Sequence, residues 1–188
     1  VILRIGQTLD FRIRQRFPFA LTRAQERVVG ELRRDLLSDR PMNRLLQGDV
    51  GSGKTVVAAY ALLAAIGNGA QAAIMAPTEI LAEQHFRTFR TMLADSRVRI
   101  ALLTGNLPAA ERRDLLRKIR EGEMDLVVGT HAIVQEDVEF RKLAVAVIDE
   151  QHKFGVLQRA RMREKGRRPH VLVMTATPIP RTLSLTLF

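Results

Sequence analysis

The chain has 188 residues, of which 46% are hydrophobic and 27% charged, a balance that predicts one soluble globular domain and argues against disorder. It contains no cysteine, which excludes a disulfide framework and a thiolate metal site and fits a reducing, cytoplasmic environment. No apolar run is long enough to span a membrane, and no secretory leader is predicted. The formal net charge of +10 favours a polyanionic partner, above all nucleic acid.

Residues 1–16 are predicted to form a linker or an N-terminal extension. The segment carries three alternate arginines, Arg12, Arg14 and Arg16, and Pro18 marks a boundary just after it. We therefore expect the folded domain to occupy residues 17–188.

A helix is predicted from about Thr22 to Leu37, and its residue Gln25 has two interpretations. In the first, Thr22 is the N-cap and Gln25 is the third helical residue of a capping box, its side chain folding back to the Thr22 N–H. In the second, the Gln25 amide binds an adenine edge, because amide groups pair with N6 and N7 of adenine. A phosphate-binding loop further along the chain favours the second interpretation.

A glycine-rich stretch at residues 48–55 fits the pattern G-x-x-x-x-G-K-[ST] at every fixed position. Glycine allows backbone conformations that turn successive N–H groups inward around a phosphate, and a helix that begins here points its positive dipole end at the same place. Apolar residues before and after the stretch give the strand, loop and helix that the pattern requires. The predicted nucleotide site consists of Gly48, Asp49, Val50, Gly51, Ser52, Gly53, Lys54 and Thr55.

Strand-like and helical segments alternate after this loop, and the strand-like ones are continuous apolar runs, as expected for strands buried on both faces. The fold class is therefore α/β, with a mostly parallel sheet and helices on both faces, and ligands belong at the carboxyl ends of the strands. The predicted strands cover residues 71–75, 98–103, 125–128, 144–148 and 170–174. The predicted helices cover residues 79–93, 108–121 and 156–164.

Two adjacent carboxylates, Asp149 and Glu150, end an apolar strand. After a phosphate loop, such a pair indicates phosphoryl transfer to water: Asp149 and the Thr55 hydroxyl would help to hold Mg²⁺, and Glu150 would orient and deprotonate the attacking water. His152 lies where it could sense the γ-phosphate and pass that state to Thr175, Ala176 and Thr177. A metal role for His152 is not expected, since no second histidine lies at i+4.

Three short segments follow predicted strands and offer small hydroxyl residues near helix starts. Each hydroxyl could be an N-cap. Since the segments share one edge of the sheet, we favour a row of donors for a nucleic-acid backbone, which positions a strand without reading its sequence. The predicted DNA-contacting residues are Pro77, Thr78, Thr104, Gly105, Thr130 and His131.

Four motifs in this order, within residues 48–55, 76–85, 149–152 and 174–177, resemble the first motor domain of superfamily 2 helicases, whose fold is RecA-like. The resemblance covers residues 16 to 188. It implies ATP and Mg²⁺ as cofactors, and a catalytic set of Lys54, Asp149, Glu150 and His152. It also implies that Thr175, Ala176, Thr177 and Arg181 couple the nucleotide to DNA.

Within that superfamily the chain is most similar to the helicases that remodel branched DNA at forks and junctions during recombination and repair. The translocase modules of transcription-repair coupling factors are the alternative. They typically carry Glu where this chain has Gln151, and they lack the pair Thr104 and Gly105. The branched-DNA helicases also contain a wedge domain and a second motor lobe, neither of which is present in this sequence.

Two other classes of function stay open from the residues alone. The 188-residue chain could bind nucleotide and DNA without turnover. It could also be a small-molecule kinase, although a kinase would need an acceptor pocket and a lid where this chain has residues 149–152 and 175–177. The prediction is an ATP-hydrolysing helicase lobe whose isolated form has poor activity.

Overall fold

The six strands of the sheet are all parallel, in the order β1-β6-β5-β2-β4-β3. The computed structural model describes residues 2–149, 165 and 168–176. The strands are β1 (Asn43–Gln47), β2 (Gln71–Met75), β3 (Ile100–Leu103), β4 (Leu126–Gly129), β5 (Leu143–Asp149) and β6 (His170–Thr175). The helices are α1 (Gln7–Arg14), α2 (Arg23–Leu36), α3 (Lys54–Gly67), α4 (Glu79–Met92) and α5 (Ala109–Glu121), with a 3₁₀ turn at His131–Val134.

Successive residues of each central strand point into two different cores. Ala72 and Ile74 of β2 pack with α1 to α4 on one side of the sheet, whereas Ala73 and Met75 pack with α5 and the 3₁₀ turn on the other. Because both faces are covered, the central strands contain few polar residues, and their apolar runs are continuous rather than alternating. The predicted α/β class, with a parallel sheet and helices on both faces, is confirmed.

The predicted element boundaries are close to the observed ones. The strand predicted at 71–75 matches β2, and the helix predicted at 79–93 is one residue longer than α4. The largest difference is β3, which begins at Ile100 rather than at Val98. The helix predicted at 156–164 lies outside the described residues. No helix in the described part of the chain is long and apolar enough to cross a membrane.

The N-terminal segment is part of the folded core, so the expectation of a linker there is wrong. Leu3, Ile5 and Ile13 are buried, and α1 packs against α3. The main chain of the segment is also tied to the domain, because Arg33 donates a hydrogen bond to the Ile5 carbonyl. A linker would leave these apolar side chains in water, and their burial favours docking by roughly 1.5–3 kcal/mol for each large aliphatic side chain.

Candidate functional site

The phosphate-binding loop connects β1 to α3 at the carboxyl edge of the sheet. Gly51 and Gly53 have φ angles of +82° and +80°, a region that favours glycine, and α3 begins directly after Gly53. A Cβ on Gly53 would lie 2.3 Å from Nε2 of Gln25, and one on Gly48 would lie 2.7 Å from Oγ of Ser52. Gly53 is therefore favoured by its backbone conformation, a Cβ at either glycine would displace a neighbouring side chain, and the arrangement suits a phosphate cradle at a helix N-terminus.

Lys54 is the cation of this loop. Its ammonium group donates hydrogen bonds to the carbonyls of Gly48 and Asp49, the latter at 2.8 Å. These contacts hold the side chain folded across the mouth of the loop. Val50, at the tip, is 90% exposed. Within the described residues no carboxylate pairs with this ammonium group, so its charge is available to an anion in the loop.

Gln25 is bound at both ends of its amide group. Its Oε1 accepts from the Thr22 N–H at 2.9 Å, and the Thr22 hydroxyl accepts from the Gln25 N–H at 3.3 Å, which confirms the predicted capping box. Its Nε2 donates to the Ser52 carbonyl at 2.9 Å, a contact with the phosphate-binding loop that the sequence analysis did not predict. The adenine contact stays a prediction.

Asp149 ends β5 at the same edge of the sheet, and its carboxylate contacts a histidine that the sequence analysis missed. Oδ2 of Asp149 lies 2.7 Å from Nε2 of His85, in the middle of α4. The two side chains are 14% and 11% exposed, so water competes weakly for this hydrogen bond. His85 lies in the motif at 76–85 that resembles the helicase superfamily, but that resemblance did not show that His85 contacts Asp149. The catalytic candidates Glu150 and His152 lie outside the described residues.

Mg²⁺ prefers oxygen ligands, and two candidates are the carboxylate of Asp149 and the hydroxyl of Thr55. Thr55 is a half-buried residue in the first turn of α3. No cluster of three or more His, Asp or Glu side chains that could hold a metal ion occurs among residues 2–149, 165 and 168–176. Magnesium is usually bound through one or two carboxylates, nucleotide phosphates and water rather than by an all-protein cage. The residues present therefore fit Mg²⁺ delivered with a nucleotide.

The predicted DNA-contacting residues have different surroundings. Thr78 is exposed, but its hydroxyl accepts from the Leu81 N–H and caps α4, so the N-cap interpretation is correct for this residue. Thr104 is half-buried, and α5 begins only after Pro108, so Thr104 caps no helix. Asn106, in the loop after β3, donates to the carboxylate of Glu79, the first residue of α4, at 2.6 Å. Pro77 is half-buried, and Gly105 and His131 are exposed.

The prediction that the Thr130 side chain faces DNA needs correction. The residue is 3% exposed, and its hydroxyl oxygen is buried without a hydrogen-bond partner in the described part of the chain. β3 and β4 approach closely beside this residue: a Cβ on Gly129 would lie 2.1 Å from the Leu103 carbonyl oxygen, and the Thr130 N–H donates to that carbonyl. The side chain of Thr130 is therefore not on the surface that we expected to face DNA.

The coupling candidates are described only in part. Thr175 ends β6, where its carbonyl accepts from the Gly48 N–H at 3.2 Å, and Ala176 follows as a half-buried residue. The phosphate-binding loop and the end of the last strand are therefore joined through the main chain. Thr177 and Arg181 lie outside the described residues.

Comparison with known proteins identifies the family of this chain. Residues 22–186 match the model of the family described as DEAD/DEAH box helicase. The chain belongs to the DEAD/DEAH box helicase family. The match covers α2, the phosphate-binding loop and the six described strands of this helicase-family domain.

The relatives of this helicase-family chain include RecG proteins, the subgroup that the motifs favoured over the transcription-repair coupling factors. It is 54% identical to the ATP-dependent DNA helicase RecG of Streptococcus pneumoniae over 188 residues, or 28% of that protein. It is 50% identical to the RecG of Escherichia coli in an alignment that covers 99% of this chain and 27% of that protein. The chain thus spans about a quarter of the length of these relatives.

Solved structures agree with the fold. A RecG bound to a three-way DNA junction matches the whole chain with a TM-score of 0.85 and 44% identity, over 25% of its own chain. The DUF1998 helicase MrfA matches 97% of the chain with a TM-score of 0.71 at 19% identity, a likeness that supports the fold alone.

Proposed function

We propose that this chain is the ATP-binding lobe of a DNA-dependent ATPase that remodels branched DNA. The observation that carries the proposal is the joint position of the phosphate-binding loop, Asp149 and Thr175 at one edge of the sheet, with the loop hydrogen-bonded to β6. A parallel sheet of this type binds ligands at this edge. The similarity to RecG proteins supports branched DNA as the substrate of the whole protein.

Within this proposal each residue has a defined task. The loop N–H groups and the N-terminus of α3 bind the phosphates, and Lys54 adds a positive charge. Thr55 and Asp149 would hold Mg²⁺, which supplies charge neutralisation at the β- and γ-phosphates. Glu150 would orient the attacking water and accept its proton. His152 would couple the nucleotide to the segment that contains Thr175, Ala176, Thr177 and Arg181.

The second motor lobe implied by the resemblance would supply an arginine from the opposite side of the nucleotide. Such an arginine contributes on the order of 10³ to 10⁵ in rate in other phosphoryl-transfer enzymes. We therefore propose that full turnover and DNA unwinding need that lobe, together with a wedge domain for junction binding. This chain on its own would bind Mg-ATP and hydrolyse it slowly.

Lys54→Ala tests the nucleotide site directly. The variant should bind a fluorescent ATP analogue about 10- to 100-fold more weakly, because a hydrogen bond to a charged group contributes roughly 1.5–3 kcal/mol. Lys142→Ala is the matched control: Lys142 is an exposed lysine that precedes β5 at the opposite edge of the sheet.

The control variant should bind the analogue as the wild type does. Circular dichroism of both variants should show the wild-type fold, because neither substitution removes buried apolar area. Wild-type affinity in a folded Lys54→Ala variant would refute the proposed site. Measuring phosphate release with and without forked DNA then separates an ATPase lobe from a binding module without turnover.

A further inference from the structure

We propose that His85 is a positioning residue that holds the Asp149 carboxylate in the orientation needed for Mg²⁺-dependent nucleotide binding. The inference rests on the proposed function and deepens it. It assigns a role to a side chain on α4, an element that contributes no residue to the phosphate-binding loop.

The position of His85 on α4 is the first observation. Three residues of this helix, Ala82, His85 and Phe89, are buried at spacings of three and four, which places them on the face toward the sheet. Ala82 and Phe89 are apolar, so His85 is the polar member of this stripe. A buried imidazole needs a hydrogen-bond partner, since leaving one unsatisfied costs about 1–3 kcal/mol.

The partner of His85 is the second observation. The helix α4 packs against β3 and β4, but His85 contacts the end of β5, which lies beyond β2 in the sheet. Among the described strands only β5 ends in an acidic residue, and this is the residue that His85 contacts. The contact therefore joins two parts of the chain that are 64 residues apart.

The chemistry of the pair is the third observation. An ionised carboxylate only accepts hydrogen bonds, so Nε2 of His85 carries the hydrogen and donates it to Oδ2. Within the described residues this is the only hydrogen bond of the Asp149 side chain, and it leaves Oδ1 for water or a cation. Outer-shell partners of this kind orient metal-binding carboxylates, and their loss typically weakens metal binding about 10- to 100-fold.

Three variants of the purified protein separate positioning from packing. His85→Leu removes the donor and keeps a side chain of similar bulk. His85→Gln restores a donor, because the glutamine Nε2 can take the place of the imidazole Nε2. Phe89→Leu disturbs the same face of α4 one turn further along without touching Asp149.

The readout is the Mg²⁺ concentration that gives half of the Mg²⁺-dependent gain in affinity for a fluorescent ATP analogue. His85→Leu should raise this concentration about tenfold or more and leave analogue binding in EDTA unchanged. His85→Gln should bring it back to within about threefold of the wild type. Phe89→Leu should lower the melting temperature and leave the Mg²⁺ dependence as in the wild type.

Three outcomes would overturn the proposal. A wild-type Mg²⁺ midpoint in His85→Leu would show that Asp149 needs no such support. An equal shift in Phe89→Leu would assign the effect to packing, and a failure of His85→Gln to recover would contradict hydrogen-bond donation. Analogue binding indifferent to both Mg²⁺ and Lys54→Ala would instead refute the nucleotide site itself.

A spectroscopic measurement on the wild type does not depend on any variant folding. The ¹⁵N–¹H spectrum of the imidazole groups should show His85 with its hydrogen on Nε2. A hydrogen on Nδ1 alone would overturn the proposal, because Nε2 could then not donate to Asp149.

Discussion

Gln25 combines two structural tasks in one side chain. Its oxygen completes the cap of α2, and its nitrogen fixes the Ser52 carbonyl next to Gly53. The absence of a Cβ on Gly53 makes room for this nitrogen. Gln25 therefore connects the start of α2 to the phosphate-binding loop, independently of any contact with adenine.

Substitution of Gln25 can separate these two tasks. Gln25→Glu keeps an oxygen for the Thr22 N–H but has no donor for the Ser52 carbonyl, so stability should change little while affinity for an ATP analogue falls. Gln25→Ala loses both contacts and should also destabilise the domain by about 1 kcal/mol, the typical value of a cap. Urea unfolding and analogue titration of the two variants provide the measurement.

Equal loss of stability in the two Gln25 variants would contradict this separation. Equal affinity in Gln25→Glu and the wild type would mean that the contact with Ser52 does not shape the loop for nucleotide.

Local motifs allowed most of this site to be predicted, and non-local contacts explain the rest. Residues 48–55 and the end of β5 follow from short patterns whose spacing determines their geometry. His85 could not be found that way, because its role depends on a contact between α4 and β5. The prediction for Thr130 failed for a related reason: its side chain is buried in the fold, beside the contact between β3 and β4, and no pattern around residue 130 encodes that burial.

The helix α1 is the element that the sequence analysis missed. Its exposed Phe11 and closely spaced arginines hide the apolar pattern, and only Ile13 within the helix is buried. Polar contacts add to the burial of Ile13: Asp10 accepts hydrogen bonds from the Tyr60 hydroxyl and from Arg14, and Arg14 also pairs with Glu26 of α2. These contacts connect α1 to both α2 and α3.

Burial raises the pKa of the Asp10 carboxyl, but hydrogen bonds from Tyr60 and Arg14 outweigh it, so that pKa lies below its ordinary value of 3.8. Because ionised Asp10 is favoured in the folded state, its contribution to stability is complete above pH 3.8 and is lost as the pH falls through the lower folded-state pKa. The same surroundings raise the pKa of Tyr60, first through burial and then through Asp10.

Asp10→Asn should therefore destabilise the domain by roughly 1 kcal/mol at neutral pH, at the low end for a charged hydrogen bond because water partly screens the group. The difference from the wild type should shrink as the pH falls from 3.8 through the lower folded-state pKa, below which both proteins are neutral at this position. Urea unfolding across this pH range measures the effect. Asp114→Asn, at a fully exposed ion pair, is the control and should change stability little. A difference that does not depend on pH would refute the role of the charge.

At the scale of the whole molecule, the basic excess is spread over exposed side chains. Four exposed arginines of α1 and α2 have no ion pair within the described residues, which leaves their charge available to a polyanion. These residues are Arg12, Arg23, Arg27 and Arg34. The chain has only one Tyr, eight Phe and no Trp, so few aromatic rings are available to stack on bases.

Binding of DNA by this chain should consequently be weak, indifferent to base sequence and steeply dependent on salt. Even two phosphate contacts predict a loss of roughly tenfold in affinity when the salt concentration rises fourfold. Fluorescence anisotropy with two unrelated oligonucleotides of equal length, at several salt concentrations, measures both properties. The double variant Arg23→Gln, Arg27→Gln should show a shallower salt dependence. A marked preference for one sequence, or affinity unchanged by salt, would contradict backbone contacts.

The strand order has a consequence for how the protein is made. Strand β6 is the last of the six to be synthesised, yet it lies between β1 and β5 and is the only described strand that pairs with β1. On the ribosome, β1 and the loop after it therefore have no strand to join until residues 170–175 have emerged. Such distant pairings form slowly, because a long stretch of chain must be closed before they stabilise anything. A nucleotide held by that loop could then stabilise the nascent domain only in the last stage of its synthesis.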